Sequence, residues 1–321
     1  MKTKRSVLGE FIKSLVPALG LGVLLAQALP AAEKAAGPDT IPTQAGDLVL
    51  HPINHATFAF QWNQETVYVD PVGAAGAFKG LPAPDLVLIT HIHPDHLNLG
   101  TLQAVVAPKT KLAVPPSVAE KLTAGLRARA TVLTNGQSQV VGGISIQAIP
   151  AYNTTPARLQ YHPKGRDNGY VLTLSDKRLY ISGDTEDIPE MLGLKNIEVA
   201  FLCMNLPYTM DVEQAARAVK IFKPRIVYPY HSRGSDPEKF KTLAGSDSGI
   251  EVRLRVWYGK KKGSGARRNP KSEGRNPKTM RARKMSGRGF AVRLFSLRDD
   301  RSRSDFGFRI SFGFRASDFG F

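Results

Sequence analysis

The sequence predicts an α/β protein built from two β-sheets with helices on their outer faces. A dense block of short apolar and β-branched runs, typical of strands, begins at residue 47. Helical patterns become frequent only in the last part of this region, where they alternate with further strand-like runs. Two packed sheets with helices outside would bury such runs.

The first half of the region has clear turn and cap signals. Its predicted elements are strands at 47–62, 65–71 and 85–90, a helix at 99–106, a strand at 111–115 and a helix at 116–125. Asn63 and Gln64 supply the turn of a predicted hairpin between the first two strands. The last helix has Pro and Ser at its start and Gly at its end, which are helix boundary signals.

The second half alternates strands with helices. Its predicted elements are strands at 130–134, 137–141 and 144–152, a hairpin at 169–184 turning at 175–177, a strand at 197–204, a helix at 211–222, a strand at 225–231, a helix at 236–244 and a strand at 250–259. Asp211 is the expected cap of the helix that follows it. Cys203, the single cysteine, lies in an apolar run and is predicted to be an inert core residue.

Charge and composition divide the chain into four parts. The net charge of +17 suggests a nucleic-acid binder, but residues 260–321 carry +13 of it and residues 1–30 carry +3. The segment between them is nearly neutral, so no specific nucleic-acid partner is expected. We predict a signal peptide at 1–28, a linker at 29–46, a catalytic domain at 47–259 and a basic, low-complexity, disordered tail at 260–321.

The start of the chain is predicted to direct export, and the tail is predicted to be disordered. A basic start, an apolar run at 15–25 and the small residues at 26–28 are typical of a cleaved export signal. We therefore expect a periplasmic or extracellular protein with no transmembrane span in its mature form; an uncleaved membrane anchor is the alternative. The tail repeats short sequences such as FGFR, and an interaction with nucleic acid or membrane is the alternative to plain disorder. The sequence does not predict an oligomeric state.

A histidine-rich motif follows the predicted buried strand at 85–90. His91 and His93 point to the same side of an extended segment, and Pro94 then turns the chain so that Asp95 and His96 come from another direction. Two imidazoles suit one metal ion and the adjacent carboxylate–imidazole pair suits a second. A solvated polar loop is the alternative interpretation.

Two more polar side chains end predicted strands. Asp184 follows a strand in the sequence GDT, where a carboxylate can bridge two cations. Turn formation explains such a sequence equally well. His231 also ends a strand, and a single strand-end histidine is more often structural than a ligand. Together with the histidine-rich motif, however, the two residues complete a set of metal-binding side chains.

These motifs, in this order, resemble those of the metallo-β-lactamase fold superfamily, over roughly residues 47–258. The wider pattern resembles the branch that contains L-ascorbate-6-phosphate lactonase. The resemblance implies an αββα sandwich with a dinuclear site at one edge. It also implies the following roles: His91 and His93 hold the first metal, Asp95, His96 and His231 hold the second, Asp184 bridges them, Asp95 also orients the nucleophile, and Asp70 is a structural residue near the site.

The superfamily normally has a third histidine at the first metal, between the opening motif and the GDT sequence. Asn153 stands where we would look for it, and an amide is a poorer transition-metal ligand than an imidazole. His162 is the remaining histidine in that interval, and we predict that it is the ligand. A site lacking this ligand is the alternative. We predict that His55 supports the site from behind the ligands, with a plain buried histidine as the alternative, and that His51 is structural.

The predicted function is metal-dependent hydrolysis of a small ester, lactone or amide by a metal-bound hydroxide, with two divalent ions, zinc or else manganese or iron. Lys164 and Arg166 are expected to meet an anionic substrate group, and Asn205 to line the pocket with Tyr152 and Tyr208. A phosphodiesterase or nuclease on the same fold is one alternative. A binding protein with a structural metal site and an iron-dependent dioxygenase are the others.

Overall fold

The computed structural model describes residues 39–245 and 248–258, which belong to one compact unit. The predicted signal peptide 1–28 and tail 260–321 lie outside the described residues, so those two assignments and the predicted localisation stay predictions. Within the described part of the chain, no helix is both long and apolar enough to cross a bilayer.

The first sheet contains seven strands in chain order. They are β1 (Asp39–Thr43), β2 (Gly46–Asn54), β3 (Thr57–Trp62), β4 (Glu65–Val69), β5 (Leu86–Leu88), β6 (Lys111–Val114) and β7 (Ala130–Val132). The first four pair antiparallel and the rest pair parallel. The predicted turn at Asn63 and Gln64 joins β3 to β4, and both residues have positive φ, as a two-residue hairpin turn requires.

The second sheet repeats this arrangement, again with seven strands among the described residues. They are β8 (Ser138–Val141), β9 (Ile144–Ala151), β10 (Asp167–Leu174), β11 (Lys177–Ile181), β12 (Val199–Cys203), β13 (Ile226–Tyr230) and β14 (Glu251–Val252). The strands from β8 to β11 pair antiparallel and those from β11 to β14 pair parallel. Both sheets therefore direct the carboxyl ends of parallel strands to one edge, where ligand sites form in such sheets.

Helices cover the two sheets. They are α1 (Leu99–Val105), α2 (Pro116–Ala119), α3 (Ala124–Arg127), α4 (Pro189–Leu192), α5 (Val212–Phe222) and α6 (Pro237–Gly245), with 3-10 turns at Ala75–Phe78 and Pro156–Arg158. Asp211 caps α5 as predicted, because its side chain accepts a hydrogen bond from the Gln214 amide.

The sheets pack face to face, and period-two alternation separates their two faces. Phe58 and Phe60 of β3 belong to the core between the sheets, whereas Ala59 faces the cluster beneath α1, α2 and α3. Phe58 stacks on Phe201 of the other sheet with ring centroids 4.0 Å apart. On the opposite side Phe222 of α5 meets Tyr180 of β11 edge-on at 6.0 Å. The predicted αββα architecture is confirmed.

Four predicted elements differ in the structure. The predicted strand 47–62 is two strands, because His55, with φ of 55°, turns the chain between β2 and β3. The predicted helix 116–125 is two short helices, because Thr123 is extended and its carbonyl accepts from the amides of Leu126 and Arg127, which starts α3 as a separate helix. The second half of the predicted linker 29–46 contains β1, which pairs with β2.

The predicted strand 250–259 shortens to the two residues of β14. Past Val252 the chain leaves the sheet edge, and the Trp257 carbonyl accepts from the His55 amide at 3.0 Å. The Trp257 indole nitrogen also donates to the Pro229 carbonyl at 2.6 Å. These long-range contacts outweigh the strand propensity of the apolar segment, and they bring Tyr258 to the edge where the strands end.

A glycine precedes Asp184 for a steric reason that can be tested. Gly183 has φ of 59°, and a Cβ there would lie 2.9 Å from the Asn168 carbonyl oxygen. Gly142 has φ of 61° but open space around the same position. We expect Gly142→Ala to cost about 1–2 kcal/mol for the left-handed backbone alone, and Gly183→Ala to cost a further ~1–3 kcal/mol for the clash. Thermal unfolding followed by circular dichroism compares the stabilities of the two variants. Equal losses of stability would contradict a steric clash at Gly183.

Candidate metal centre

All seven predicted ligands meet at one edge of the sandwich. Each follows a strand or lies in a loop between strands. His91, His93, Asp95 and His96 follow β5, His162 lies between β9 and β10, Asp184 follows β11, and His231 follows β13. Both sheets thus contribute, and the site depends on their packing.

His91, His93 and His162 form the first group, in which one potential ligand atom from each lies within 4.8 Å of the others. The His162 ring lies 4.9 Å from the His91 ring and 4.7 Å from the His93 ring, centroid to centroid. Asn153 is occupied elsewhere, because its Nδ2 donates to the carbonyls of Arg158 and Tyr208. The structure therefore places His162, not Asn153, beside the two motif histidines.

The Asp184 carboxylate lies between the motif histidines and His231. Its Oδ1 is 3.5 Å from His96 Nε2, and its Oδ2 is 3.5 Å from His162 Nε2 and 3.3 Å from His231 Nε2. The residue is only 2% exposed. The carboxylate therefore faces imidazoles from both sides of the site, with Oδ2 near His162 on one side and His231 on the other.

The Asp95 carboxylate contacts three histidines on the other side of the site. Its Oδ2 lies 3.4 Å from His231 Nε2 and 4.0 Å from His96 Nε2. His55 Nε2 is closer still, at 3.1 Å, and His55, Asp95 and His231 form a second group within 4.8 Å. His55 therefore touches the predicted ligands directly, where the sequence suggested support from behind them.

Two buried carboxylates orient the imidazoles from behind. Asp70 Oδ2 accepts from His96 Nδ1 at 2.8 Å and from the Thr90 hydroxyl at 2.7 Å, and that hydroxyl lies 3.0 Å from His91 Nδ1. Asp167 Oδ2 accepts from His162 Nδ1 at 3.1 Å. Each carboxylate leaves the Nε2 atom of its histidine directed at Asp184, and carboxylates that bind the far nitrogen of a ligand histidine orient it in this way in metal sites.

The sequence interpretation missed Asp167 and Tyr258. Asp167 directly follows Arg166, and such a pair usually indicates a solvated ion pair. In the structure Asp167 is fully buried, and only its distance of five residues from His162 hinted at the contact. Tyr258, whose hydroxyl lies 2.8 Å from His55 Nδ1, falls inside the segment 250–259 that the sequence suggested was strand, so no signal marked it.

Three site residues hold strained backbone. His55, Asp70 and His231 have φ of 55°, 43° and 44°, in the left-handed region that costs a residue with a Cβ about 1–2 kcal/mol. Strain of this kind concentrates at functional sites, where surrounding contacts hold it in place. Here the His231 amide donates to the His55 carbonyl at 3.1 Å and the Asp70 amide to the Leu88 carbonyl at 2.9 Å.

The electrostatics favour a cation. Burial lowers the pKa of His91 well below its ordinary value, and the neighbouring imidazoles add to this. Burial also opposes the charge on His96, but the carboxylates of Asp184 and Asp70 outweigh it and raise its pKa to about 9. Burial likewise opposes the charge on Asp95, yet hydrogen bonds from His231 and His55 hold its pKa far below the usual range. Anionic Asp95 and neutral His91 are in the forms that bind metal ions, and the carboxylates that favour a proton on His96 favour a metal cation in its place.

The buried polar atoms test whether a metal ion fits. Five side-chain atoms of the convergent set are buried without a hydrogen-bond partner. Four of them lie on the side that faces Asp184 or its neighbours, namely His91 Nε2, His96 Nε2, His162 Nε2 and Asp184 Oδ1, and the fifth is Nδ1 of His231, whose Nε2 faces Asp184. Leaving a buried polar atom unpaired costs about 1–3 kcal/mol. Four such atoms facing one another fit divalent cations, whose bonds to them would satisfy all four.

Of the two basic residues predicted to meet the substrate, one lies beside the convergent histidines and the other contacts different residues. Arg166 lies at the centre, with Nη2 at 3.3 Å from His93 Nε2. Lys164 instead contacts Glu190 at 3.7 Å and the Tyr152 ring at 4.7 Å.

Two predicted pocket residues are engaged in other contacts. The amide of Asn205, with its nitrogen facing the Arg233 carbonyl, donates to it at 2.8 Å. The Tyr152 ring packs in the core and its hydroxyl donates to Glu190. Neither contact involves the convergent histidines.

Comparisons with known proteins agree with this geometry. The family model for the beta-lactamase superfamily domain matches residues 50–231, more than half of the chain. The chain belongs to the beta-lactamase superfamily. A UPF0173 metal-dependent hydrolase from Pyrococcus horikoshii is 28% identical over 217 residues, covering 62% of this chain and 93% of the relative.

Two solved structures are similar to this chain. The putative metal-dependent hydrolase from Parabacteroides distasonis is 41% identical with a TM-score of 0.63, covering 68% of this chain and 97% of that one. The metallo-beta-lactamase fold protein YhfI from Bacillus subtilis shares the fold, with 16% identity and a TM-score of 0.51, covering 67% of this chain and 90% of that one. The predicted family, fold and broad class, a metal-dependent hydrolase of this superfamily, are confirmed.

The two supporting carboxylates give a prediction. Asp70→Asn and Asp167→Asn each remove the negative charge behind a histidine, and we expect each to weaken metal binding about 10–100-fold. Competition with a chromophoric chelator measures the affinity, and circular dichroism checks the fold. Asp176→Asn is the control, because Asp176 lies in the β10–β11 turn and accepts from the Gln44 amide. Affinities equal to that of the control would contradict the supporting role.

Proposed function

We propose that this chain hydrolyses a small ester, lactone or amide at a centre of two divalent metal ions. The observation that carries the proposal is the convergence of buried, unpartnered ligand atoms on both sides of Asp184. In this proposal His91, His93 and His162 hold the first ion, Asp95, His96 and His231 hold the second, and Asp184 contacts both. Ligand atoms that are all imidazole nitrogens or carboxylate oxygens suit zinc, with manganese or iron as alternatives.

His55 enlarges the proposed second site. Its Nε2 lies at the Asp95 oxygen that also faces His231, and its Nδ1 is held by the Tyr258 hydroxyl. The ring is therefore fixed in direction, either to bind the second ion or to hold Asp95 in place. Divalent ions in such a centre polarise the substrate oxygen and make water nucleophilic at neutral pH.

Asp95 is suited to orienting the attacking water. Its side chain is 47% exposed, in contrast to the buried side chains of Asp184 and His231. It can therefore contact water and substrate while His55 and His231 fix its position. Because these hydrogen bonds hold its pKa far below the usual range, we assign it the role of accepting a hydrogen bond from the water, not of removing a proton.

Arg166 is suited to an anionic group or a developing oxyanion of the substrate. Its guanidinium donates to both oxygens of Asp167, at 2.7 and 2.8 Å, and to the Tyr161 carbonyl at 2.7 Å. These bonds fix a positive charge beside His93. Lys164 is turned to Glu190, so we assign this role to Arg166 alone.

A phosphodiesterase reaction is the second candidate, because a fixed guanidinium accepts phosphate as well as carboxylate. The near-neutral charge of residues 31–259 gives little attraction for a polyanionic strand, however. A purely structural metal site is the third. Structural zinc sites are usually closed and often use cysteine, whereas this centre has an exposed carboxylate and no cysteine among its ligand groups.

Metal content is the first test. We expect the full-length protein to bind about two equivalents of zinc or manganese, since two ligand groups share Asp184. Dialysis against a chelator should abolish hydrolysis of a panel of esters, lactones, amides and phosphodiesters, and added metal should restore it. Hydrolysis that persists after the metal has been removed would disprove the proposal.

Two histidine variants test the site. We expect His93→Ala to lower kcat/KM by more than about a hundredfold, since loss of a ligand should exceed the 10–100-fold effect of changes behind the ligands. His51→Ala is the matched control, because His51 lies on β2 and pairs with Gln61 at 3.2 Å. The control should keep its activity. Equal activity of the two variants on the substrate panel would reject the assigned centre.

A further inference from the structure

We propose that an apolar lip beside the metal centre binds the apolar acyl or aryl group of the substrate. The lip consists of Leu159, Tyr161, Leu206 and Tyr208, on the loop before β10 and the loop after β12. This inference rests on the proposed function and narrows its substrate class to esters, lactones or amides with an apolar group next to the scissile bond.

Exposed apolar area concentrates at this lip. Leu159 and Leu206 are each 47% exposed and Tyr208 is 44% exposed, and the Tyr208 ring meets Tyr161 edge-on at 5.0 Å. Elsewhere in the described part of the chain the large exposed apolar residues occur on separate elements. They are Val132, Val140, Ile221 and Val256. Scattered residues of that kind are ordinary, whereas a cluster of apolar side chains marks a binding surface.

Buried polar contacts hold the two loops of the lip together. Asn153, only 2% exposed, donates from Nδ2 to the Arg158 carbonyl at 3.0 Å and to the Tyr208 carbonyl at 2.7 Å. Arg158 also donates to the Thr209 carbonyl and pairs with the fully buried Glu186. Asn153 thus joins one loop to the other, and the apolar side chains are exposed on a fixed support. A preorganised surface of this kind loses less entropy when it binds a ligand.

Glu186 anchors the support on the first loop. Its Oε2 accepts from the amides of Thr154 and Thr155, each at 2.6 Å, and from the Thr154 hydroxyl at 2.9 Å. The Thr155 hydroxyl donates to Glu186 Oε1 at 2.7 Å. Buried Glu186 thus fixes the backbone of this loop, while the apolar side chains of the loop stay exposed.

The lip adjoins the metal centre through both loops. On one side Arg166 Nη2 contacts the Tyr161 carbonyl at 2.7 Å and His93 Nε2 at 3.3 Å, and His162 directly follows Tyr161. On the other side the Leu206 loop follows β12, which lies between the strands that end at Asp184 and His231. A substrate with its carbonyl at the centre and its polar side at Arg166 can therefore lay an apolar group across the lip.

Carboxylate binding tests the lip independently of turnover. Straight-chain carboxylates from acetate to octanoate, as product analogues, are titrated calorimetrically into the metal-loaded full-length protein. We expect affinity to rise by up to about fourfold per methylene, and the rise to flatten in the double variant L206A/Y208A. Both side chains are largely exposed, so the fold should survive. Val140→Ala, at a 70% exposed position on β8, is the control.

The outcomes separate the two proposals. No rise in affinity with chain length, no binding of any carboxylate, or an unchanged rise in the double variant would overturn the lip. If the protein hydrolyses nothing on the substrate panel, the proposed function fails, while the slope of carboxylate affinity still decides the lip. Hydrolysis with equal kcat/KM for short and long acyl groups, or a preference for nucleotide phosphodiesters, would leave a hydrolase and reject the apolar subsite.

Discussion

A buried carboxylate surrounded by imidazoles is the constraint on which the rest of this structure depends. Asp184 is 2% exposed, and its oxygens face the Nε2 atoms of four histidines at 3.3 to 3.9 Å. A buried charge without adequate partners is costly. The fold must therefore bring ligands from both sheets to one point, and the repeated sheet order does so because the carboxyl ends of the parallel strands meet at one edge. Gly183 is part of the same constraint, because only a residue without a Cβ allows the chain to pass the Asn168 carbonyl there.

The supporting groups follow a similar plan in the two sheets. Asp70, after β4 of the first sheet, holds His96 from behind, and Asp167, at the start of β10 in the second, holds His162. Each carboxylate also has a second partner, because Asp70 accepts a hydrogen bond from Thr90 and Asp167 accepts one from Arg166. The position of the proposed substrate-binding charge is thus tied to the position of a proposed ligand. A change at Asp167 should therefore disturb both, whereas a change at Asp70 should disturb the ligands alone.

Most of the fold could be predicted because local signals agreed with the tertiary structure. Apolar runs identified the buried strands, and Asp211 and the Asn63–Gln64 turn marked element boundaries correctly. The failure at the end of the domain arose because long-range contacts decided the backbone. The segment after β14 leaves the sheet because Trp257 bonds to His55 and Pro229, residues roughly two hundred and about thirty positions away along the chain.

The candidate site shows the same division. Strand-end residues such as His91 and Asp184 could each be placed at a sheet edge from the sequence, and the packing of the two sheets brings these edges together. Loop residues could not be placed in this way. His162 was chosen by elimination and the structure puts it beside His91 and His93, whereas Lys164, two residues further on, turns to Glu190. Nothing in the local sequence predicts which of these two side chains faces the site. Asp167 and the packing of the loop determine it.

The contrast between the centre and the lip separates what the fold determines from what the loops determine. Apart from His162, the centre is built from residues that follow strands, so their positions depend on sheet pairing and on the packing of the two sheets. The lip is built from loop residues whose positions follow from Asn153, Arg158 and Glu186, none of which contacts Asp184. Burying polar groups costs free energy, and here the hydrogen bonds of Asn153 and Arg158 hold two loops under an exposed apolar surface and not in the core. That use of buried polar groups is understandable if selection acted on what the surface binds, and the proposed acyl or aryl group of the substrate is an occupant of the right chemistry at the right place.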